Sequence, residues 1–532
     1  MTRRRKSSRR KTSTHPPAIR QKSPGAAPDP GTAEVGARRT GWIHVGVLVV
    51  LCVVSRLPQL TSPNLFLDSD EAVVGLMAKH IVEGKALPVY FYGQAYGFSL
   101  VEALAGAAGF AIAGISDIAL KVSILLVWSA GIVFFYLTVR LFTRNAWVAL
   151  GGALLLVMAP AWAVWSMKAR GGYVTAFTAA AFVTYLLVNE KARTRRLGWL
   201  LAGLGSALVY EAQAMWIPGL VPLVAMAVVK AGRKRWWFLG IFAAGVAAFW
   251  LPARLAAPAD VVWNPRLVGG FMPEHLKFLP EYVFVNLSGA YYMHIPMEAT
   301  AAARIFAGLF IAAMVIAAAF QLYLLVRRRP DPLGTALLAS IGLTFFYVFF
   351  LFGFGPRYLL PLAGSAALLL MVLLARLPRW PALATAAVFA LVGVHAQYGY
   401  KDFDTEPQML VQTGGGYEKL AGSHRLKMES LLEFLDRHRV RHAFSTHWFI
   451  PWQINFYSQE RIVCRGKESI GRVQDYIDRV DGALARGERL AVVGYAGGQL
   501  HNAPNTTVID MKYVVLFGPD RRFLERIGFA FR

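Results

Sequence analysis

The chain has 532 residues, of which 56% are hydrophobic and only 16% charged, with a mean hydropathy of +0.44. Soluble proteins carry about 25% charged residues, so a water-soluble globule is excluded. Two cysteines, Cys52 and Cys464, exclude a disulfide framework and a zinc cluster, and the formal charge of +25 has to be located before it is interpreted.

Much of that charge sits at the start. Within the first 40 residues eleven Lys and Arg face only Asp29 and Glu34. A tail of this kind cannot bury a core and reads as disordered. It holds the N-terminus in the cytoplasm and touches anionic lipid, whereas nucleic acid is not the expected partner. An uncleaved first span follows at 42–58.

Further basic residues cluster in five short gaps: Arg140 and Arg144; Lys191, Arg193, Arg195 and Arg196; Lys230, Arg233, Lys234 and Arg235; Arg327, Arg328 and Arg329; Arg376 and Arg379. The positive-inside rule puts all five on the cytoplasmic side. Spans at 119–140, 146–165, 172–189, 197–212, 215–230, 236–253, 303–326, 333–353, 358–375 and 381–398 satisfy it with strict alternation, giving about eleven in all. The apolar stretch 99–115 is the exception, because a crossing there would reverse every later segment. It is expected as an interfacial or partly inserted helix, the alternative being a twelfth span with violated charge bias.

The predicted architecture is therefore a polytopic α-helical membrane protein with a C-terminal extramembrane α/β domain. The basic tail is 1–40, and the membrane module is 41–399, with outer loops at 59–118 and 254–302. In the last part, 400–532, helical patterns (427–438, 470–485) alternate with β-rich runs (443–446, 490–495, 512–517).

The first outer loop concentrates acids. Leu67-Asp68-Ser69-Asp70-Glu71-Ala72 precedes a run with Val73, Met77, His80 and Ile81 on one face and Gly84 as a stop, which predicts an amphipathic helix. Asp68 or Ser69 suits its N-cap, and Asp70 and Glu71 suit the positive end of its dipole. Three carboxylates beside a membrane exit nevertheless exceed what one cap requires, and charges at that depth point to function. On the same side lie Lys168, Arg170 and Arg357, read either as partners of a phosphate or as headgroup-seeking cations. Glu211, in Tyr210-Glu211-Ala212-Gln213, either contacts sugar or caps a hairpin. Trp448 and Trp452 either stack on a ligand or belong to an interface belt.

A cytoplasmic N-terminus, one span and a loop opening with Asp70-Glu71-Ala72 on an amphipathic helix resemble the GT-C membrane glycosyltransferases. The protein O-mannosyltransferase and aminoarabinose transferase branch is the nearest in pattern. Other matching pieces are Tyr92-Gly93-Gln94-Ala95-Tyr96-Gly97 before Glu102, Arg170-Gly171-Gly172-Tyr173, Arg357-Tyr358-Leu359-Leu360-Pro361, and the stretch from Trp448 with Phe456, Glu460 and Arg461. The likeness runs in order over 42–465. It implies an inverting glycosyltransferase of the bacterial cytoplasmic membrane, using a polyprenyl-phosphate-linked sugar and a lipid, glycan or protein acceptor on the outer face.

Polyprenyl phosphate is a good leaving group, so such an enzyme needs a base for the acceptor hydroxyl and cations for the phosphate. By the resemblance Asp70 is the base, Glu71 its helper and Asp68 an orienting residue. Glu102, Lys168, Arg170, Tyr173, Glu211, Arg357 and Tyr358 are the candidate substrate-binding residues. A divalent metal is a further candidate, with Glu102 and His294 as its ligands. Two other function classes stay open: a lipid-linked sugar flippase or transporter, which would show repeats and mid-membrane charges, and a non-catalytic envelope-assembly protein.

Overall fold

The structure, a computed structural model, describes residues 30–62, 65, 67–257, 273–289, 291–292, 295–296, 299–352, 356–399, 410–413, 416–419, 424–468, 472–500 and 503–531. The chain divides into two compact units, Met1–Ile43 and His44–Arg532. The α/β region falls in the same unit as the helices before it.

The helices follow the apolar runs. They are α1 (Pro30–Val54), α2 (Ser69–Val82), α3 (Leu100–Ala113), α4 (Asp117–Thr143), α5 (Ala146–Val157), α6 (Tyr173–Val188), α7 (Arg196–Gln213), α8 (Ile217–Lys230) and α9 (Arg235–Leu255). After these come α10 (Leu279–Ser288), α11 (Ala301–Val326), α12 (Pro332–Phe346), α13 (Leu360–Leu374) and α14 (Arg379–Gly399). Among the described residues eight helical runs are long and apolar enough to cross a membrane, or nine if α5 and its bent continuation count as one.

One of the eight, Arg196–Lys230, has 35 residues. Straight, it would measure about 52 Å, far more than the roughly 30 Å of a hydrocarbon core. It comprises α7 and α8, broken at Ala214–Trp216, and α8 returns to the end where α7 began. Arg196 stacks on Trp237 at 5.3 Å, just beyond the end of α8. Lys230 lines a small cavity with Leu141, Val188, Asp331 and Arg376, which border the other basic gaps. All five gaps thus share one end of the bundle, as strict alternation requires. Helix α6, 16 residues long, is a shorter apolar helix outside the count of eight helical runs.

Helix α3 is a shorter apolar helix of 14 residues, about 21 Å long. Both its flanks lie at the other end of the bundle. Near its start Glu102 accepts from the Gly172 amide at 3.3 Å, and just beyond it Asp117 accepts from the Tyr457 hydroxyl at 3.2 Å. Both ends of the 99–115 segment are thus held at the same end of the bundle.

The span expected at 146–165 is broken, with a bend of 60° between Ala146–Val157 and Pro160–Met167. Pro160 lacks an amide hydrogen and cannot continue the helix, so carbonyls come free in a setting without water. The fully buried Arg56 meets them, donating to Val157 O at 3.0 Å and Trp162 O at 3.2 Å. Its other donors reach Ser166 Oγ at 2.9 Å and Gln397 Oε1 at 2.8 Å. The break carries 160–173 across the end of the bundle, and with it Lys168 and Arg170.

The C-terminal region is a five-stranded sheet: β1 (His442–Ser445), β2 (Val463–Arg465), β3 (Leu490–Tyr495), β4 (Thr506–Ile509) and β5 (Tyr513–Phe517), in the order β2-β1-β3-β5-β4. β1 is parallel to β2 and β3, while β5 is antiparallel to β3 and β4. Every residue of β3 is buried, as expected of a central strand covered on both faces. Four helices accompany it: α15 (His424–Arg437), α16 (Ile450–Tyr457), α17 (Gln474–Ala485) and α18 (Arg521–Arg526). The sequence patterns anticipate α15, α17, β1, β3 and β5.

The sheet region docks through α16 onto α2. A side chain at Gly75 would stand 2.5 Å from the Phe456 ring, so the glycine is what permits this approach. Tyr457 accepts from the Leu67 amide at 2.9 Å, and Gln453 donates to Leu67 O at 3.1 Å. These contacts fix the chain just before Asp68.

Candidate active site

The start of α2 is a capping box. Asp68 is the N-cap, accepting from the Glu71 amide at 2.9 Å, while the Glu71 carboxylate accepts from the Asp68 amide at 3.2 Å. Both side chains are buried, and each also meets a cation. Asp68 Oδ2 accepts from Lys168 Nζ at 2.9 Å and from Arg170 at 2.6 Å. Glu71 Oε1 accepts from the buried Lys121 at 2.9 Å. Burial alone would raise the Asp68 carboxyl, but the charges of Arg170 and then Lys168 outweigh it and hold the group well below the usual carboxylate range.

Asp70 is different. Its side chain is 20% exposed and pairs with the second terminal nitrogen of the same Arg170 at 2.8 Å, so Arg170 bridges Asp68 and Asp70. Asp70 lines a cavity of about 540 Å³ between the bundle and the α/β region. Arg170, Tyr173, Arg357 and Tyr358 line it from the bundle, and Trp448, Trp452, Arg472 and Tyr476 from the other side. Arg357 donates to the Tyr358 hydroxyl at 2.9 Å. Among the described residues the acids on the wall are Asp70 and Glu468.

The cavity therefore gathers Asp70, Arg170, Tyr173, Arg357 and Tyr358, and leaves out other candidates. Lys168, expected as a phosphate cation, is buried under Asp68 and absent from the lining, because the acid 100 residues earlier already neutralises it. Glu71, expected as helper to the base, is held in the capping box by Lys121. Glu102 is buried too and serves the start of α6, accepting from the amides of Gly172 at 3.3 Å and Thr175 at 3.4 Å. Burial pushes its carboxyl up to about 7, against the lowering effect of these amides. Glu211, expected near sugar, instead accepts from the Tyr90 hydroxyl at 2.8 Å and Arg254 Nε at 3.0 Å, tying the first loop to α7 and α9. His294 lies outside the described residues.

Three residues with ligand chemistry converge elsewhere, at the outer side of α2. His80, Glu83 and Glu460 have donor atoms within 4.8 Å of one another. Lys79 also bonds Glu460, and Lys85 approaches Glu83 at 2.8 Å and Glu460 at 3.6 Å. Two ammonium groups on the same carboxylates disfavour a divalent ion, so the donor set fits an ion-pair clamp better than a metal centre. Glu460 accepts from His80 at 3.1 Å and from the Tyr476 hydroxyl at 2.8 Å. Burial would raise it, but these bonds and that from Lys79 hold it below the ordinary range. The clamp thus joins α2 to Tyr476 in the cavity wall.

Sequence reasoning overlooks Arg472, Glu468 and Lys121. Lys121 sits among apolar residues of α4, where a lone intramembrane charge was a usable signal. Arg472 carries no local signal at all, since its meaning comes only from the docking of two distant segments.

No protein-family model and no curated protein matches the chain. Among solved structures, ArnT from Cupriavidus metallidurans in the apo state aligns over 91% of this chain and 98% of its own, with a TM-score of 0.59 and 15% identity. The same protein bound to undecaprenyl phosphate aligns over 91% and 99%, with a TM-score of 0.58 and 14% identity. The chain has a GT-C fold. At this identity the likeness speaks to architecture, and the chemistry has to be argued from the cavity.

Proposed function

We propose that the protein is an inverting glycosyltransferase that moves a sugar from a polyprenyl-phosphate donor to an acceptor hydroxyl on the outer face of the cytoplasmic membrane. The observation that carries this reading is the junction cavity in which one ion-paired carboxylate, Asp70, faces Arg170, Arg357 and seven aromatic side chains. Asp70 takes the proton from the acceptor hydroxyl as its oxygen attacks the anomeric carbon from the face opposite the phosphate. The bond from that carbon to the phosphate oxygen breaks, and Arg170 and Arg357 stabilise the charge on the departing polyprenyl phosphate. Tyr173, Tyr358 and the tryptophans supply apolar faces against sugar and isoprene.

The fold shared with ArnT, which has been seen bound to undecaprenyl phosphate, supports a polyprenyl carrier. The alternation of the spans supports a cytoplasmic N-terminus and an outer site, because all the basic gaps gather at the opposite end of the bundle. A transporter would place its charges at mid-membrane, whereas here they border an extramembrane cavity. No step runs through a metal. The test is to supply the reconstituted protein with undecaprenyl-phosphate-linked sugars and identify its copurifying lipid by mass spectrometry. Release of undecaprenyl phosphate and a copurifying polyprenyl phosphate are expected. A protein that carries only phospholipid and releases none would not be a transferase of this class.

A further inference from the structure

Two guanidinium nitrogens on the cavity wall, Arg357 Nε and Arg472 NH1, are buried and have no acceptor among the described residues. A buried donor without an acceptor is costly, and more so when charged, so a pair of them on one cavity calls for an anionic occupant. Arg170 differs, since it already bonds Asp68 and Asp70.

Arg472 comes from the α/β region, and its position is built. Its guanidinium lies 4.7 Å from the centre of the Phe91 ring. Its stem passes Gly93 so closely that a side chain there would stand 2.9 Å from the Arg472 Cα, and Gly93 has the positive φ of 72° that favours glycine. Toward Asp70 the pairing is loose, with NH2 3.9 Å from Oδ1. A side chain seated this firmly, with one long ion pair and one unused donor, is arranged for a partner that arrives.

We infer that Arg472 is a ligand for the donor phosphate, so that the C-terminal region supplies part of the donor site. A phosphate has enough oxygens to accept from Arg472 and Arg357 together, and a guanidinium fork suits it better than a point charge does. Its arrival draws Arg472 from Asp70 and leaves Oδ1 free for the acceptor hydroxyl. Donor binding then precedes exposure of the base.

The inference rests on the glycosyl-transfer reading but is tested apart from it. The full-length protein in nanodiscs is titrated with undecaprenyl phosphate and with undecaprenol, and its melting temperature is recorded without either. The wild type is expected to prefer the phosphate. In Arg472→Gln that preference should shrink at least about tenfold, equivalent to about 1.4 kcal/mol, with undecaprenol binding and the ligand-free melting temperature unchanged. An undiminished preference would overturn the role of Arg472 while leaving the transferase reading intact. A wild type with no preference would overturn both. Should the Gln variant not fold, Arg472→Lys carries the test, since it keeps the charge and loses the fork: a weakened preference supports the assignment and an unchanged one overturns it.

Discussion

Asp68 and Asp70 stand two residues apart and face different surroundings. Asp68 is buried and neutralises Lys168 and Arg170, whereas Asp70 faces the cavity. Asn at 68 keeps a capping oxygen but removes the charge that Lys168 meets at 2.9 Å, leaving the buried ammonium its longer pairing with Glu71 at 3.6 Å, and breaking a buried pair in this way costs up to about 3–5 kcal/mol. Asn at 70 should cost less than about 1 kcal/mol. Thermal unfolding in detergent checks this ordering, and equal melting temperatures for the two variants would contradict the division of roles. The pH dependence follows from the same residues. Asp68 and Glu460 are held below their ordinary range, so their stabilisation is complete above about pH 4 and is lost as pH falls through their folded-state values. Glu102 has the opposite sign. Its carboxyl is raised from 4.5 to about 7, so across that window the fold loses stability as pH rises. Glu102→Gln should flatten this slope and keep an acceptor for the start of α6, which melting curves between pH 4.5 and 7.5 will test.

At the scale of elements, the decisive contact is α16 on α2. Gly75 admits the Phe456 ring, and Gly75→Leu would drive a side chain into it, with a cost of about 1–3 kcal/mol. The expected outcome is faster amide exchange across α16 and at 67–71, with α11 and α14 unaffected; unchanged exchange would mean that another contact holds the α/β region. Much at this scale is legible in the sequence. Apolar runs mark the helices because the bilayer demands about 20 residues each, and short β-rich runs mark β1, β3 and β5. Pro160 was available as a break signal, but the acceptance of its free carbonyls by Arg56 depends on a partner about a hundred residues away. The partner of Lys168 is hidden from the sequence for a similar reason. A cation beside a span exit resembles a ligand for phosphate until Asp68 is found against it.

Within His44–Arg532 the described helices form a bundle whose basic gaps gather at one end, with the cavity between the bundle and the α/β region. Reporters fused after Ser116 and after Lys168 should both report the outer side, and one after Arg196 the cytoplasm. A cytoplasmic signal after Ser116 would make α3 a true span. The site was legible only in part: Asp70, Arg170, Tyr173, Arg357 and Tyr358 do meet at the cavity, whereas Arg472 and Glu468 come from a region whose docking no local pattern announces. The central claim is that Asp70 accepts the proton of the acceptor hydroxyl, and the most direct measurement is the turnover of Asp70→Asn in liposomes supplied with an undecaprenyl-phosphate-linked sugar. That variant should insert and bind donor as the wild type does, yet turn over at least about a hundredfold more slowly. Near-normal turnover by Asp70→Asn would contradict the account.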